Sequence, residues 1–198
     1  MKQTKKIGLT GVMGAGKSSV IALLKQQHIA VLDCDEINQR LLRKGNRGYM
    51  AIVDTFTEQL LDNDGNLDKQ KLSDLIFSDP KKKQRAEKLL HPLIQQEIKT
   101  YCETCSDPLV FIEVPLLFEV RWEAFFDEVW VVACDQELLL ERLAEYRKVE
   151  RTEAFRRMKF QLSQEEKCAK ADVILYNNDS MEMLNQQLLK ELQRIMEG

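Results

Sequence analysis

Five short stretches of the chain are almost continuously apolar and have the length of strands: Ile7–Thr10, Ile29–Leu32, Leu109–Ile112, Val129–Ala133 and Val173–Tyr176. Their hydrophobic positions follow one another rather than alternating, as expected of parallel strands covered on both faces by helices. Between most of them lie long stretches of helical pattern, the first over Ser18–Gln27. Strands alternating with helices predict an α/β layered fold built on a five-stranded parallel sheet flanked by helices.

The spacing of the strands is uneven. Residues 33–108 contain no convincing strand. Asn63-Asp64-Gly65-Asn66 reads as a turn, and Ser78-Asp79-Pro80 as a helix start, with Pro suited to the first helical turn and Asp or Ser to the cap. From Lys81 to Tyr101 the residues Leu89, Leu90, Leu93, Ile94 and Ile98 form an apolar helical stripe. Pro92 is expected to bend or divide that helix near Leu90-His91. An insertion this long exceeds what a crossover needs and predicts a lobe of its own over 43–105.

A second irregularity follows the fourth strand run. Asp135 is placed to cap a helix that buries Leu138, Leu139 and Leu143. From Arg142 to Lys159 there are seven basic residues and three acidic ones, a local charge of +4 in a chain whose formal net charge is −3. A charge run is most often a solvated helix face; close to a phosphate-binding loop it also reads as a segment that meets phosphates.

The overall acidic balance excludes a general nucleic-acid binder, whose footprint is basic. The opening MKQTKKIGLTG is basic and then apolar, but Lys17 interrupts it and no small-residue cleavage site follows, so no secretory signal is expected. No run of 18 apolar residues exists to span a membrane. The five cysteines are an odd number without a framework and are expected to be free thiols in a cytoplasmic protein. Cys102 and Cys105 have the spacing of a metal or redox pair, yet no second pair follows and the chain has two histidines, so they read as ordinary helix residues.

The chemistry is concentrated directly after the first strand. Gly11-Val12-Met13-Gly14-Ala15-Gly16-Lys17-Ser18 fits G-x-x-x-x-G-K-[ST] between a strand and a helix, the P-loop arrangement. Glycines let backbone N–H groups turn inward around phosphates, and the following helix adds its unpaired donors and dipole. Lys17 is expected to reach the β- and γ-phosphates and Ser18 to hold Mg²⁺. A guanine-reading Asn-Lys-x-Asp is missing, and Asp62–Gly65 matches a GTPase switch motif only as a turn, which disfavours a GTPase. Asp33 and Asp35 end the second strand run, on the rim where layered α/β sheets bind ligands. A carboxylate there can take a hydroxyl proton and orient the oxygen for in-line attack; Asp35 can equally cap the helix Glu36–Leu42. Phosphorylation of a nucleoside monophosphate or another small hydroxylated metabolite, and a non-catalytic ATP-dependent switch, remain open on these residues.

Over nearly its whole length the chain resembles the dephospho-coenzyme A kinases. The likeness runs through Ile7-Gly8-Leu9-Thr10 into the loop and Ser19, Asp33-Cys34-Asp35, Leu89-Leu90-His91-Pro92-Leu93-Ile94 and Val114-Pro115-Leu116-Leu117-Phe118-Glu119. It continues in Arg157-Met158, Gln161-Leu162-Ser163, Glu165-Glu166-Lys167, Ala171-Asp172 and Asn177-Asn178. The His-Pro-Leu-Ile and Val-Pro-Leu-Leu-Phe-Glu segments carry most of its specificity. It implies a P-loop kinase with a nucleotide-binding core (1–42, 106–140 and 168–198), a helical acceptor lobe (43–105) and a helical lid (141–167). It implies ATP as donor, Mg²⁺ as cofactor and phosphorylation of the 3′-hydroxyl of dephospho-CoA.

By the same resemblance, residues 11–19 bind the nucleotide, Asp35 is the base, Asp33 supports metal and loop, and Arg142 stabilises the transferring phosphoryl group. His91, Pro115, Leu116, Leu117 and Glu119 line the acceptor pocket, although His91 reads equally well as hinge packing beside Pro92. Glu113 or Asp33 could assist the metal through water. Trp122, Phe125 and Phe126 read as core. Three departures stand out: Val12 replaces a second glycine, Ser19 a threonine, and Tyr146 an arginine for which Arg147 is the nearest substitute.

Overall fold

The computed structural model describes residues 4–146 and 161–197. The chain forms two compact units, one of Met1–Leu32 with Asp107–Gly198 and one of Asp33–Ser106.

The first unit is built on strands β1 (Lys5–Thr10), β2 (Ala30–Asp33), β3 (Leu109–Glu113), β4 (Glu128–Ala133) and β5 (Val173–Tyr176), in the order β2-β3-β1-β4-β5. β2 thus ends on the residue that opens the second unit. β1 lies between β3 and β4, with Ile7 paired to Phe111 on one side and Glu128 on the other, and all three run parallel. The continuous apolar runs have their explanation in burial: Ile7, Leu9, Phe111, Trp130 and Val132 are completely covered. Phe111 and Trp130 meet edge to face at 5.1 Å across the central strands. Helices α1 (Lys17–Gln26) and α8 (Met181–Glu197) pack Val20, Leu24, Leu184, Leu188 and Leu192 into the same core. Each such side chain is stabilised by roughly 1.5–3 kcal/mol on leaving water. Trp122 and Phe126 are buried as well, in line with their reading as core.

Helix α6 (Gln136–Tyr146) starts at Asp135, whose carbonyl accepts from Leu139 N–H at 2.9 Å. The Asp135 side chain is used elsewhere: it accepts from the Asn178 carboxamide, which in turn accepts the Asp135 backbone N–H. Helix α7 (Gln164–Cys168) opens with a full capping box between Ser163 and Glu166. Residues 147–160, which hold most of the basic run and Arg147, lie outside the described residues.

The second unit contains helices α2 (Cys34–Leu41), α3 (Arg47–Phe56), α4 (Lys69–Ser78) and α5 (Pro80–Thr104). Its core joins Ile52, Leu60, Leu72, Ala86 and Leu90. The unit begins at Asp33, not at 43, because α2 belongs with the helices: Ile37 and Leu41 are buried, and Arg40 and Arg47 both pair with Glu97 of α5, at 3.1 and 2.9 Å. Residues 62–66 form the expected turn, with Asp62 accepting N–H from Asp64 and Asn66.

Helix α5 starts as predicted, Asp79 accepting from Lys81 N–H at 2.8 Å with Pro80 at the first position. It is not divided at Pro92, which sits inside one continuous helix of 25 residues. Ala86, Leu90, Ile94 and Ile98 are buried at a spacing of four, so burial on both sides of the proline keeps the two halves in register. Pro92 itself is exposed, where water can satisfy the carbonyl it leaves without a donor.

Candidate active site

The phosphate loop springs from the carboxyl end of β1. Gly16, the N-cap of α1, has φ 99°, a left-handed conformation that side chains rarely adopt. A Cβ there would collide with the Asn177 carboxamide, and one on Gly11 would come within 2.5 Å of the Val132 carbonyl oxygen. The backbone is therefore held at a distance only glycine permits. Lys17 opens α1 and folds its ammonium back over the loop, donating to Gly11 O at 2.9 Å and Val12 O at 3.4 Å. Ser18 is exposed in the first turn, which contains no carboxylate, so the positive end of the helix has no acidic neighbour within that turn. Val12 packs partly buried against the main core.

Asn177, outside the residues expected to form the site, organises this region. It ends β5's extension, is buried, and donates its side-chain amide to Ala15 O at 3.0 Å. Its own carbonyl accepts from Arg142 Nη2 at 3.2 Å. Arg142, from α6, therefore lies on the flank of the loop, and its Nη1 is buried with no hydrogen-bond partner among the described residues. Burial pushes the neighbouring Cys134 thiol up, while the Arg142 guanidinium pulls the other way. The sequence signal for Asn177 was its position directly after the last strand, on the sheet edge that carries the loop.

A cavity of about 230 Å³ adjoins the loop, lined by Val12 and Met13, by Gln136 and Leu139 of α6, and by residues 161–165. The turn at 115–120 is organised around Glu119. Its carboxylate pairs with the fully buried Lys167 at 2.8 Å and accepts Leu162 N–H at 2.8 Å. Pro115 and Leu116 are half-buried on that turn, but Leu117 is completely buried: its side chain is core, which corrects its expected place along an acceptor pocket. Glu113, the last residue of β3, is half-buried.

In the helical unit, Asp33 rather than Asp35 is the cap of α2. Its Oδ1 accepts the N–H groups of Asp35 at 2.7 Å and Glu36 at 3.3 Å. Asp35 sits in the exposed first turn of the helix, so its carboxylate is not consumed by capping. His91 is half-buried on α5; burial holds its pKa below the ordinary imidazole value, against the opposing pull of Glu87. Cys102 and Cys105 lie half-buried at the end of α5, and no group of three or more metal-ligating side chains occurs among the described residues.

The sequence model of the dephospho-CoA kinases matches residues 5–183. The chain belongs to the dephospho-CoA kinase family. A dephospho-CoA kinase of Streptococcus agalactiae is 34% identical over 97% of this chain and 100% of its own. Another, from Carboxydothermus hydrogenoformans, is 35% identical over 95% of this chain and 93% of its own. The crystal structure of TT1252 from Thermus thermophilus superposes with a TM-score of 0.85 at 31% identity, covering both chains fully. A dephospho-CoA kinase from Campylobacter jejuni gives a TM-score of 0.63 at 25% identity, over 99% of this chain and 100% of that one. The chain is thus an enzyme, a phosphotransferase of coenzyme A biosynthesis with ATP as its donor. Among the described residues no helix is long and apolar enough to cross a membrane.

Proposed function

We propose that the enzyme transfers the terminal phosphoryl group of ATP to the 3′-hydroxyl of dephospho-CoA, with Asp35 as the base. The hydroxyl O–H breaks and its proton passes to the Asp35 carboxylate. The freed oxygen bonds to the terminal phosphorus, and the bridging P–O bond breaks to leave ADP. Most of the rate comes from holding donor and acceptor in line and from fixed charges at the transferring group.

The observation that carries this reading is the loop itself: two close-approach glycines, the returned Lys17 ammonium and the acid-free start of α1 together fit a phosphate chain. Lys17 takes the β- and γ-phosphates in place of the Gly11 and Val12 carbonyls it now contacts. Ser18 fits Mg²⁺ through its exposed hydroxyl, with Asp33 or Glu113 able to help through water; the ion neutralises phosphate charge when bound. Arg142, bonded to Asn177 beside Gly16 and with an Nη1 that has no hydrogen-bond partner among the described residues, fits a phosphate oxygen. His91, Pro115 and Leu116 are assigned to the acceptor, and Asp33 to holding Asp35 in place through its cap; Glu119 is not assigned to the acceptor, because its carboxylate is engaged by Lys167 and by Leu162 N–H. In the domain reading, 43–105 with α2 receives the acceptor and 141–167 is the lid. A cytoplasmic setting is part of the proposal, supported by an odd number of cysteines whose spacing in the sequence forms no disulfide framework.

The test is turnover with ATP and dephospho-CoA, followed by ADP release and by phosphorus NMR of the product. A new phosphate on the ribose 3′ position, lost with Lys17→Ala, is expected. ADP release without that product contradicts the proposal.

A further inference from the structure

Lys167 is the one charged side chain with no exposure among the described residues, and no step above uses it. A buried ammonium is tolerated only when paired and hydrogen-bonded, and this one has both kinds of partner. Its Nζ lies 2.8 Å from Glu119 Oε1 and 3.1 Å from the carbonyl oxygen of Pro115. That carbonyl also accepts from the Thr10 hydroxyl at 3.3 Å, and Thr10 is the last residue before the phosphate loop. Glu119 in turn holds Leu162 N–H at 2.8 Å. Two residues further on, the Gln164 carboxamide exchanges hydrogen bonds of 2.7 and 3.1 Å with Cys134 O and N, at the end of β4.

One buried charge therefore ties together the end of β1, the turn at 115–119 and the start of α7. What it fixes is residues 162–164, and these form a wall of the cavity whose opposite side is Val12 and Met13 of the loop. A hydrophobic residue of the same length would fill the space; it would not hold Glu119, and Glu119 would not hold Leu162.

We propose that Lys167 is a positioning residue for phosphoryl transfer, its buried ion pair with Glu119 setting the cavity wall at 162–164 against the phosphate loop. The proposal rests on the kinase reading above. It differs from a purely structural role in one respect: restoring stability without restoring the tether does not restore the rate.

The experiment compares the wild type, Lys167→Met and the double variant Lys167→Met/Glu119→Met. In Lys167→Met, kcat is expected to fall about tenfold or more, since small misplacements at a reacting centre cost up to about 100-fold, with KM for ATP within about threefold. The double variant removes the unpaired carboxylate, so its Tm is expected to return towards the wild-type value while kcat stays low. Amide exchange at Leu162 is expected to quicken in both variants, and this arm needs no substrate. A wild-type rate run alongside reports on the kinase reading separately. Wild-type kcat in the double variant, or unchanged Leu162 exchange in Lys167→Met, overturns the proposal.

Discussion

The carboxamide of Asn177 donates to the carbonyl of Ala15 at 3.0 Å, and Gly16 presents to it a backbone with no room for a Cβ. A side chain on the last strand's extension thus grips the phosphate loop from behind, at the point where the loop becomes α1.

Removing that grip is expected to soften the loop. Asn177→Ala leaves a buried carbonyl unsatisfied, a cost of about 1–3 kcal/mol, and Tm should fall by roughly 2–4 °C per kcal/mol for a chain of this size. Gly16→Ala forces an L side chain into a left-handed backbone at a strain of about 1–3 kcal/mol. If that strain falls on the nucleotide-ready loop, ATP affinity drops by a factor of about 5 to 150. Calorimetric titration with ATP checks both variants.

Far from the loop, the Glu128 carboxylate should make stability depend on acid. Burial pushes its pKa up, but donors from Arg194, Trp130 and Lys5 outweigh that and hold it at about 2, against an ordinary value of 4.5. A depressed carboxylate stabilises the fold above its unfolded pKa, and that contribution fades as pH falls from about 4.5 towards about 2. Glu128→Gln is therefore expected to lower Tm by roughly 2–8 °C at pH 7, for a loss of about 1–2 kcal/mol. The gap between variant and wild type should close over the acid range in parallel melts.

His91 should titrate below 6.5, because burial disfavours its charged form more than Glu87 favours it. Its neutral form belongs to the folded state, so its contribution to stability is present above 6.5 and lost as pH falls through the lowered value. Proton NMR of the imidazole checks the direction. On the acceptor-lining proposal, His91→Gln raises KM for dephospho-CoA about tenfold, the scale of one lost hydrogen bond, and leaves KM for ATP unchanged.

The strands and the phosphate loop were legible because each is a local pattern. Val129–Ala133 is apolar at every position since both faces of β4 are covered, and the loop's glycines sit where backbone must approach backbone. Helix α5 was legible in its start and its stripe, but not in its continuity. Whether Pro92 divides it depends on burial of Ile94 and Ile98, which no local rule reports. Asp33 and Asp35 look alike in sequence; only the extended backbone at Asp33 makes it the cap and leaves Asp35 exposed. Leu117 stood in a motif taken to face the acceptor, while its side chain turns into the core. The Lys167–Glu119 pair was not legible, because Lys167 looks like part of an exposed charged run and Glu119 like the polar end of an apolar segment, 48 positions apart, until the fold brings them together.

The proposed transfer depends on Asp35 taking the acceptor's proton, and rapid-quench transfer with both substrates saturating tests this most directly. Asp35→Asn is expected to lose about 100- to 10,000-fold in rate, the usual worth of a positioned base, while ATP binds within about threefold of the wild type. Near-wild-type transfer by Asp35→Asn, with the same dependence on pH, contradicts it.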